Sequence, residues 1–220
     1  MITIKKNTLS FLEELKENNN REWFAENQTR YKEARKNFET FVQEVINGIS
    51  EFEPIMKGLE AKNCIFRINR DIRFTNDKSP YKSNFGAFIV RGGKKNSGRF
   101  AGYYLHIEPG ECFIAGGAYI PPAPWLSAIR EKINEQPDVF KKIISQKEFI
   151  KYFNEIEGEK LKKPPKGYSA DNPNIELLKH KSYLVMHNVS EKILLAPDYY
   201  NHVIQVLKAM KPLNDFLSDY

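Results

Sequence analysis

The sequence predicts an α+β fold, a mostly antiparallel sheet in the middle of the chain flanked by N-terminal and C-terminal helices. Three observations carry that expectation. Apolar residues recur at three-and-four spacing at both ends of the chain, the period drops to two in the middle, and the links between the alternating runs are too short for parallel crossovers.

At the N-terminal end, Phe11, Leu12 and Leu15 share one helical face over residues 8–18, and Ser10 with Glu13 has capping-box spacing. Asn20 reads as a second N-cap. From there to Ile49, Trp23, Phe24, Tyr31, Phe38, Phe41, Val42, Val45 and Ile46 predict the longest helix, with Gly48, Pro54 and Gly58 as its breakers. N-terminal helices therefore fill 8–50.

A sheet core is expected over about 64–120. Phe66, Ile68, Ile72 and Phe74 alternate with Arg67, Asn69, Asp71 and Arg73, predicting a strand over 66–74. GAFIV, FAGYYLHIE and ECFIAGGAYI supply further strands, joined by RGGKKNSG and EPGE as in an antiparallel meander. Pro121, Pro122 and Pro124 then stop the sheet. Residues 121–192 form a helical and strap region, with helices from Ala123 to about Glu135 and in PDVFKKIISQ, and a lid or strap in KLKKPPKGYSADNPN at 160–174. A short helix at 175–180 and a strand at 183–188 follow. The closing helix spans about 197–220, with Val203, Ile204, Val206, Leu207 and Met210 inward. The whole, 1–220, reads as a single domain without repeats.

The totals narrow the function only slightly. A chain of 220 residues buries enough apolar surface to fold without staples, and Cys64 and Cys112, far apart and outside any CxxC motif, read as buried structural thiols of a reduced compartment. No signal-like or spanning run opens the chain, so a soluble, cytoplasmic protein with no membrane partner is expected. The balance of 34 basic against 28 acidic residues, +6, favours acidic partners without requiring nucleic acid.

The densest chemistry lies in FRINRDIRFTNDKSPYKSNFGAF, residues 66–88. Arg67, Arg70, Arg73, Lys78 and Lys82 gather around Asp71 and Asp77, and the turn-forming TNDKSPYKSN can aim backbone N–H groups outward. On a strand, Arg67, Asn69, Asp71 and Arg73 share a face and Arg70 intrudes on the apolar one, where it needs a carboxylate or a bound anion. The segment is not a Walker loop, because the glycine spacing and GK[ST] ending are absent. His106, His180, His187 and His202 show no zinc spacing, although Tyr104, His106 and Glu108 alternate so as to share one strand face. No cofactor motif is found.

NNNREWF at 18–24, the 66–82 segment, AGYYLHIEPGE, GGAYIPP, KLKKPPKGY and LLKHKSY, in this order, resemble the bacterial and fungal family catalogued as domain of unknown function 2461, over about Leu9 to Lys192. The RDIRF and DKSPYK blocks are specific to it. The resemblance implies a single cytoplasmic domain, found mainly in bacteria, with no agreed activity. One departure is visible: where the family pattern reads aspartate, histidine, proline, this chain has Asp171, Asn172 and Pro173, which argues against a general histidine mechanism through that position.

The functional expectation is a pocket that binds, or binds and acts on, a phosphate- or carboxylate-bearing small molecule. Arg67, Arg70, Arg73, Lys78 and Lys82 would hold the charge, and Asp71 or Asp77 would orient an arginine or act as acid or base. Trp23, Tyr81 and Tyr103 would supply walls, and Lys181 or the strap would close the site. A nucleic-acid-binding module is the alternative, as is a structural role in which the arginine and aspartate network only stabilises the fold. Neither a reaction nor an oligomeric state follows from the sequence.

Overall fold

A computed structural model describes residues 2–218. Helix α1 (Lys6–Glu17) starts earlier than its sequence suggests, and Ser10 lies within it, so the expected capping box does not form. The cap comes from another element instead. Asn37 Oδ1 accepts the Lys5 N–H at 2.9 Å and the Thr8 hydroxyl at 2.8 Å. Asn20 does cap, accepting the Trp23 N–H at 2.9 Å to begin α2 (Arg21–Glu26). The expected single long helix is interrupted at Asn27, where the backbone N–H, at 3.0 Å, and the side-chain amide, at 2.9 Å, both donate to the Trp23 carbonyl. Beyond it runs α3 (Gln28–Ser50). Gly48 does not break α3; a Cβ there would press on the Tyr200 hydroxyl and the end of Ile204, so glycine serves a close helix crossing.

The sheet contains β1 (Phe85–Ile89), β2 (Gly102–Ile107), β3 (Cys112–Ala118) and, after a long excursion, β4 (Tyr183–Val189), antiparallel throughout in the order β1-β2-β3-β4. The excursion holds α4 (Ala123–Glu135), α5 (Pro137–Ile144), α6 (Lys147–Tyr152), the strap and α7 (Ile175–Leu178). Short α8 (Glu191–Leu194) and then α9 (Tyr199–Ser218) follow β4; the expected extension of the last helix to residue 220 falls outside the described residues. The fold is α+β, and its fourth strand, Tyr183–Val189, lies where a strand over 183–188 is expected.

Register fixes two faces. Ala87, Leu105, Ile114 and His187 lie side by side across the four strands, as do Ile89, Tyr103, Gly116 and Val185. This side packs against α3 and α9: Phe38 stacks on Phe85 at 5.5 Å, and Phe41 on Tyr199 at 5.2 Å. The opposite side carries Phe88, Tyr104, Ala115 and Met186 in one row and Gly86, His106, Phe113 and Asn188 in the next. Among the described residues, the α-helices packed closely on the strands, α3 and α9, lie on the first face.

The strand expected over 66–74 is absent. Only 64–66 runs beside β1, through an Ile65–Ala87 bridge with Phe66 N–H on the Gly86 carbonyl at 2.9 Å. Of the alternating apolar residues Ile68 is buried at 4 % exposure, whereas Phe66 is 37 % and Phe74 92 % exposed. The chain instead forms an irregular hairpin closed by an Asn69–Tyr81 bridge. Within it Asp71 Oδ1 takes the Arg73 N–H at 3.3 Å and Asp77 Oδ1 the Ser79 N–H at 2.9 Å, local bonds that replace a ladder.

The glycines of β3 and its preceding turn give a stability test. Gly117 has φ +114°, and a Cβ there would run into the Tyr183 carbonyl of β4, whereas Gly110, at φ +82°, has nothing within 4 Å. Gly117→Ala is expected to cost at least about 2 kcal/mol in urea unfolding, combining backbone strain with a clash, and Gly110→Ala only about 1 kcal/mol. Equal losses would show that the β3–β4 approach is looser than described.

Candidate ligand-binding site

The cationic hairpin neutralises much of its own charge. Arg70 pairs with Asp77, and Arg73 clasps Asp71 through two bonds of 2.9 and 2.7 Å. Both carboxyls lie below their usual range: Asp77 chiefly through the Ser79 hydroxyl and then Arg70, Asp71 chiefly through Arg73. Lys78 donates to the Ile72 carbonyl at 3.0 Å. Arg70 therefore finds its carboxylate on the neighbouring limb of the same hairpin, and the expected common face of Arg67, Asp71 and Arg73 is lost with the strand. Arg67 is exposed and makes no side-chain hydrogen bond or ion pair among the described residues.

The predicted walls are dispersed. Trp23 stacks on Phe11 at 5.9 Å, and Tyr81 stacks on Phe24 at 3.9 Å while its backbone is held by the Asn19 side chain at 3.0 and 3.1 Å. Tyr103 faces the core and donates its hydroxyl to Glu53 at 2.7 Å, which strand alternation makes inevitable once Tyr104 faces outward. Lys181 pairs with Glu159 at 2.7 Å beyond β4. The hairpin borders β1, the other edge of the sheet, roughly 14 Å away at ordinary strand spacing. The chain enters the strap along that far edge, through Glu157–Leu184 and Lys160–His180 bridges, and Asn172 reaches Asn134 of α4 at 2.7 Å.

What the fold does assemble is a groove of about 580 Å³ on the uncovered sheet face, floored by Tyr104, His106, Phe113 and Ala115 and bounded by Phe66 and Lys82 from the cationic segment. His106 stacks on Phe113 at 4.5 Å, and Phe66 meets Tyr104 edge-on at 6.3 Å. Gly86 makes room: a Cβ there would come within 2.6 Å of the Tyr104 hydroxyl. Lys82 Nζ lies 5.4 Å from the Phe66 ring centroid and donates to the Arg67 carbonyl at 3.0 Å. Burial, then repulsion from Arg67, holds its pKa below the usual lysine value.

A polar relay crosses the floor. His106 Nε2 is 3.2 Å from Glu108 Oε2, and His106 Nδ1 is 3.0 Å from the Tyr104 hydroxyl. Glu108 also accepts the Ser83 hydroxyl at 2.6 Å. Burial raises the Glu108 pKa, but the hydrogen bonds from Ser83 and His106 outweigh it and keep the group below its usual range, ionised. An ionised Glu108 only accepts, so Nε2 carries the imidazole hydrogen and Nδ1 is left to accept from Tyr104. Burial lowers the His106 pKa against the opposing pull of Glu108, and burial together with the Glu108 charge pushes Tyr104 up to about 12. At neutral pH the relay is Tyr–OH, neutral imidazole, carboxylate.

The sequence pointed to Tyr104, His106 and Glu108 through alternation on one strand. It did not reveal Phe113, whose place beside His106 depends on the β2–β3 register, nor Ser83, which meets Glu108 only after the hairpin has turned back toward β1.

Together the fold and groove define an α+β protein with an aromatic pocket on the uncovered face of an antiparallel sheet. The chain belongs to the family described as "Conserved hypothetical protein (DUF2461)", whose model matches residues 7–216. No curated protein and no solved structure matches it. Among the described residues no helix is long and apolar enough to cross a membrane.

The relay predicts a specific titration. Because burial favours neutral His106, its midpoint in nitrogen-detected NMR should lie below the ordinary value of 6.5, with the Nε2–H tautomer above it. Glu108→Gln removes the group that raises His106, so the midpoint should fall further. The unfolded chain takes up this proton more readily, so the contribution to stability is complete above about pH 6.5 and is lost as pH falls through the folded midpoint. A midpoint above 6.5, or an Nδ1–H tautomer, would contradict the assigned relay.

Proposed function

We propose that the groove on the uncovered sheet face binds a small molecule with a flat, partly apolar body and a phosphate or carboxylate group, and presents it to the Tyr104–His106–Glu108 relay. The observation that carries this reading is the meeting of three features in one recess: an aromatic floor, a half-buried lysine at its border, and a relay oriented by a carboxylate. Lys82 and the unpaired Arg67 beside it are the charge-holding groups; Arg70 and Arg73, committed to Asp77 and Asp71, support the hairpin that carries them. Phe66, Phe113 and Tyr104 supply the apolar contact that the sequence assigned to Trp23, Tyr81 and Tyr103.

The relay also gives the groove acid–base capacity. A ligand hydroxyl that gives its proton to the Tyr104 oxygen lets Tyr104 pass its own proton to His106 Nδ1, and Glu108 stabilises the imidazolium formed. A second reading rests on Phe88, Tyr104 and Phe113 facing outward on adjacent strands: a stacking platform for single-stranded nucleic acid, with the positive net charge as steering.

Thermal-shift and NMR titration with inorganic phosphate, nucleotides, sugar phosphates and aromatic carboxylates tests the proposal. At least one class should stabilise the protein at millimolar concentration, and Lys82→Ala and Phe66→Ala should each weaken that binding at least tenfold while Arg73→Ala leaves it within twofold. If no class stabilises the protein or shifts groove signals, the small-molecule proposal fails. Oligonucleotide binding that falls steeply between two salt concentrations, with none of these ligands bound, would favour the stacking platform instead.

A further inference from the structure

His187 and His202 show no metal-ligand spacing in sequence, and the fold creates it. His187 projects from the core-facing side of β4, His202 lies in the first turn of α9, and their Nε2 atoms stand 3.0 Å apart. His187 Nδ1 is 3.2 Å from the Tyr152 carbonyl oxygen. A carbonyl only accepts, so Nδ1 carries the hydrogen and the Nε2 of the neutral ring presents a bare lone pair toward His202. Without a metal, His202 Nε2–H donates into that lone pair.

The same arrangement suits two cis ligands of one ion. Two metal–nitrogen bonds of about 2.0–2.1 Å meeting near a right angle place the nitrogens roughly 2.9 Å apart. One ring is already oriented through its second nitrogen by a backbone carbonyl, as metal-binding histidines commonly are. The Tyr152 ring stands edge-on to both imidazoles, at 5.4 Å and 89° to His187 and 6.1 Å and 79° to His202, and restrains their rotation. Both histidines are half-buried, with a path to solvent. Asp198, one helical turn before His202, contributes negative charge and Lys151 an opposing positive charge.

We propose that His187 and His202 form a two-histidine site for a divalent transition-metal ion of the nickel, copper or zinc class, with water completing its coordination. Among the described residues no third histidine, cysteine or carboxylate converges on the pair, so the ion is exchangeable and micromolar affinity is expected, unlike a closed structural zinc site. Imidazole donors and a near-right-angle bite favour copper(II) over zinc. On binding, His202 shifts its ring hydrogen from Nε2 to Nδ1, so both Nε2 lone pairs face the ion, which fastens β4 to α9. This site lies on the helix-covered side of the sheet and is independent of the groove.

The test uses full-length protein without an affinity tag, stripped with chelator. Calorimetric titration with copper(II) chloride and zinc chloride should show one saturable site, tighter for copper, and His187→Gln and His202→Gln should each weaken it at least tenfold. In the wild type, substoichiometric copper should broaden the His187 and His202 imidazole signals before those of His106 and His180. Absence of saturable binding at millimolar metal, unchanged affinity in both variants, or first broadening at the other histidines would overturn the proposal. Should His187→Gln fail to fold, His202→Gln and the wild-type broadening experiment still decide it.

Discussion

Phe38 and Phe41 of α3, with Val203, Val206 and Met210 of α9, are fully buried in the core that closes one face of the four strands. That packing sets the direction of every strand side chain. Burying a large apolar side chain is worth about 1.5–3 kcal/mol, and a one-residue slip of any strand would exchange its buried row for its exposed one. The register is thus held by the core, and the outward positions of Tyr104, His106 and Phe113 follow as a consequence. Gly116 fits the same constraint: a Cβ there would press on Met210 of α9 and on the Gly102 carbonyl, so the close approach of the last helix depends on its absence.

The uncovered face is apolar, yet its polar groups form one connected row. Burial disfavours the charged forms of His106 and Tyr104, and Glu108 keeps its charge because two hydrogen bonds offset its desolvation. Such a row is costly unless each member is satisfied, and here each is: tyrosine to imidazole, imidazole to carboxylate, carboxylate to serine. The cationic hairpin is organised differently. Its short-range pairs are exposed, and exposed pairs contribute little to stability, so their effect is to shape a loop that positions Lys82 and Phe66 at the border of the groove.

Much of the fold was legible because helical and strand periods differ so sharply. Phe11, Leu12 and Leu15, and the outward set Tyr104, His106 and Glu108, lie where their spacing places them. Alternation misled at 66–74, where Asp71 binds neighbouring backbone and Phe74 points into water. Period alone does not distinguish a laddered strand from an extended loop whose own side chains satisfy it. The interruption at Asn27 leaves no mark in the apolar period, and Gly48, expected to break the helix, instead answers to a helix distant in sequence. Contacts set by inter-strand register or by strand-to-helix packing, such as His106 on Phe113 and His187 on His202, have no trace in linear spacing.

Both borders of the sheet are partly occupied. Residues 64–66 lie along β1 through the Ile65–Ala87 bridge, and Glu157 bridges Leu184 on the outer side of β4, with Gly158 at φ +121° turning the chain away against Ser182. Short, interrupted covers of this kind leave no continuous row of free amides and carbonyls for an incoming chain to extend. Self-association by growth of the sheet is thereby discouraged, and contacts with other molecules are steered to the broad surfaces of the protein.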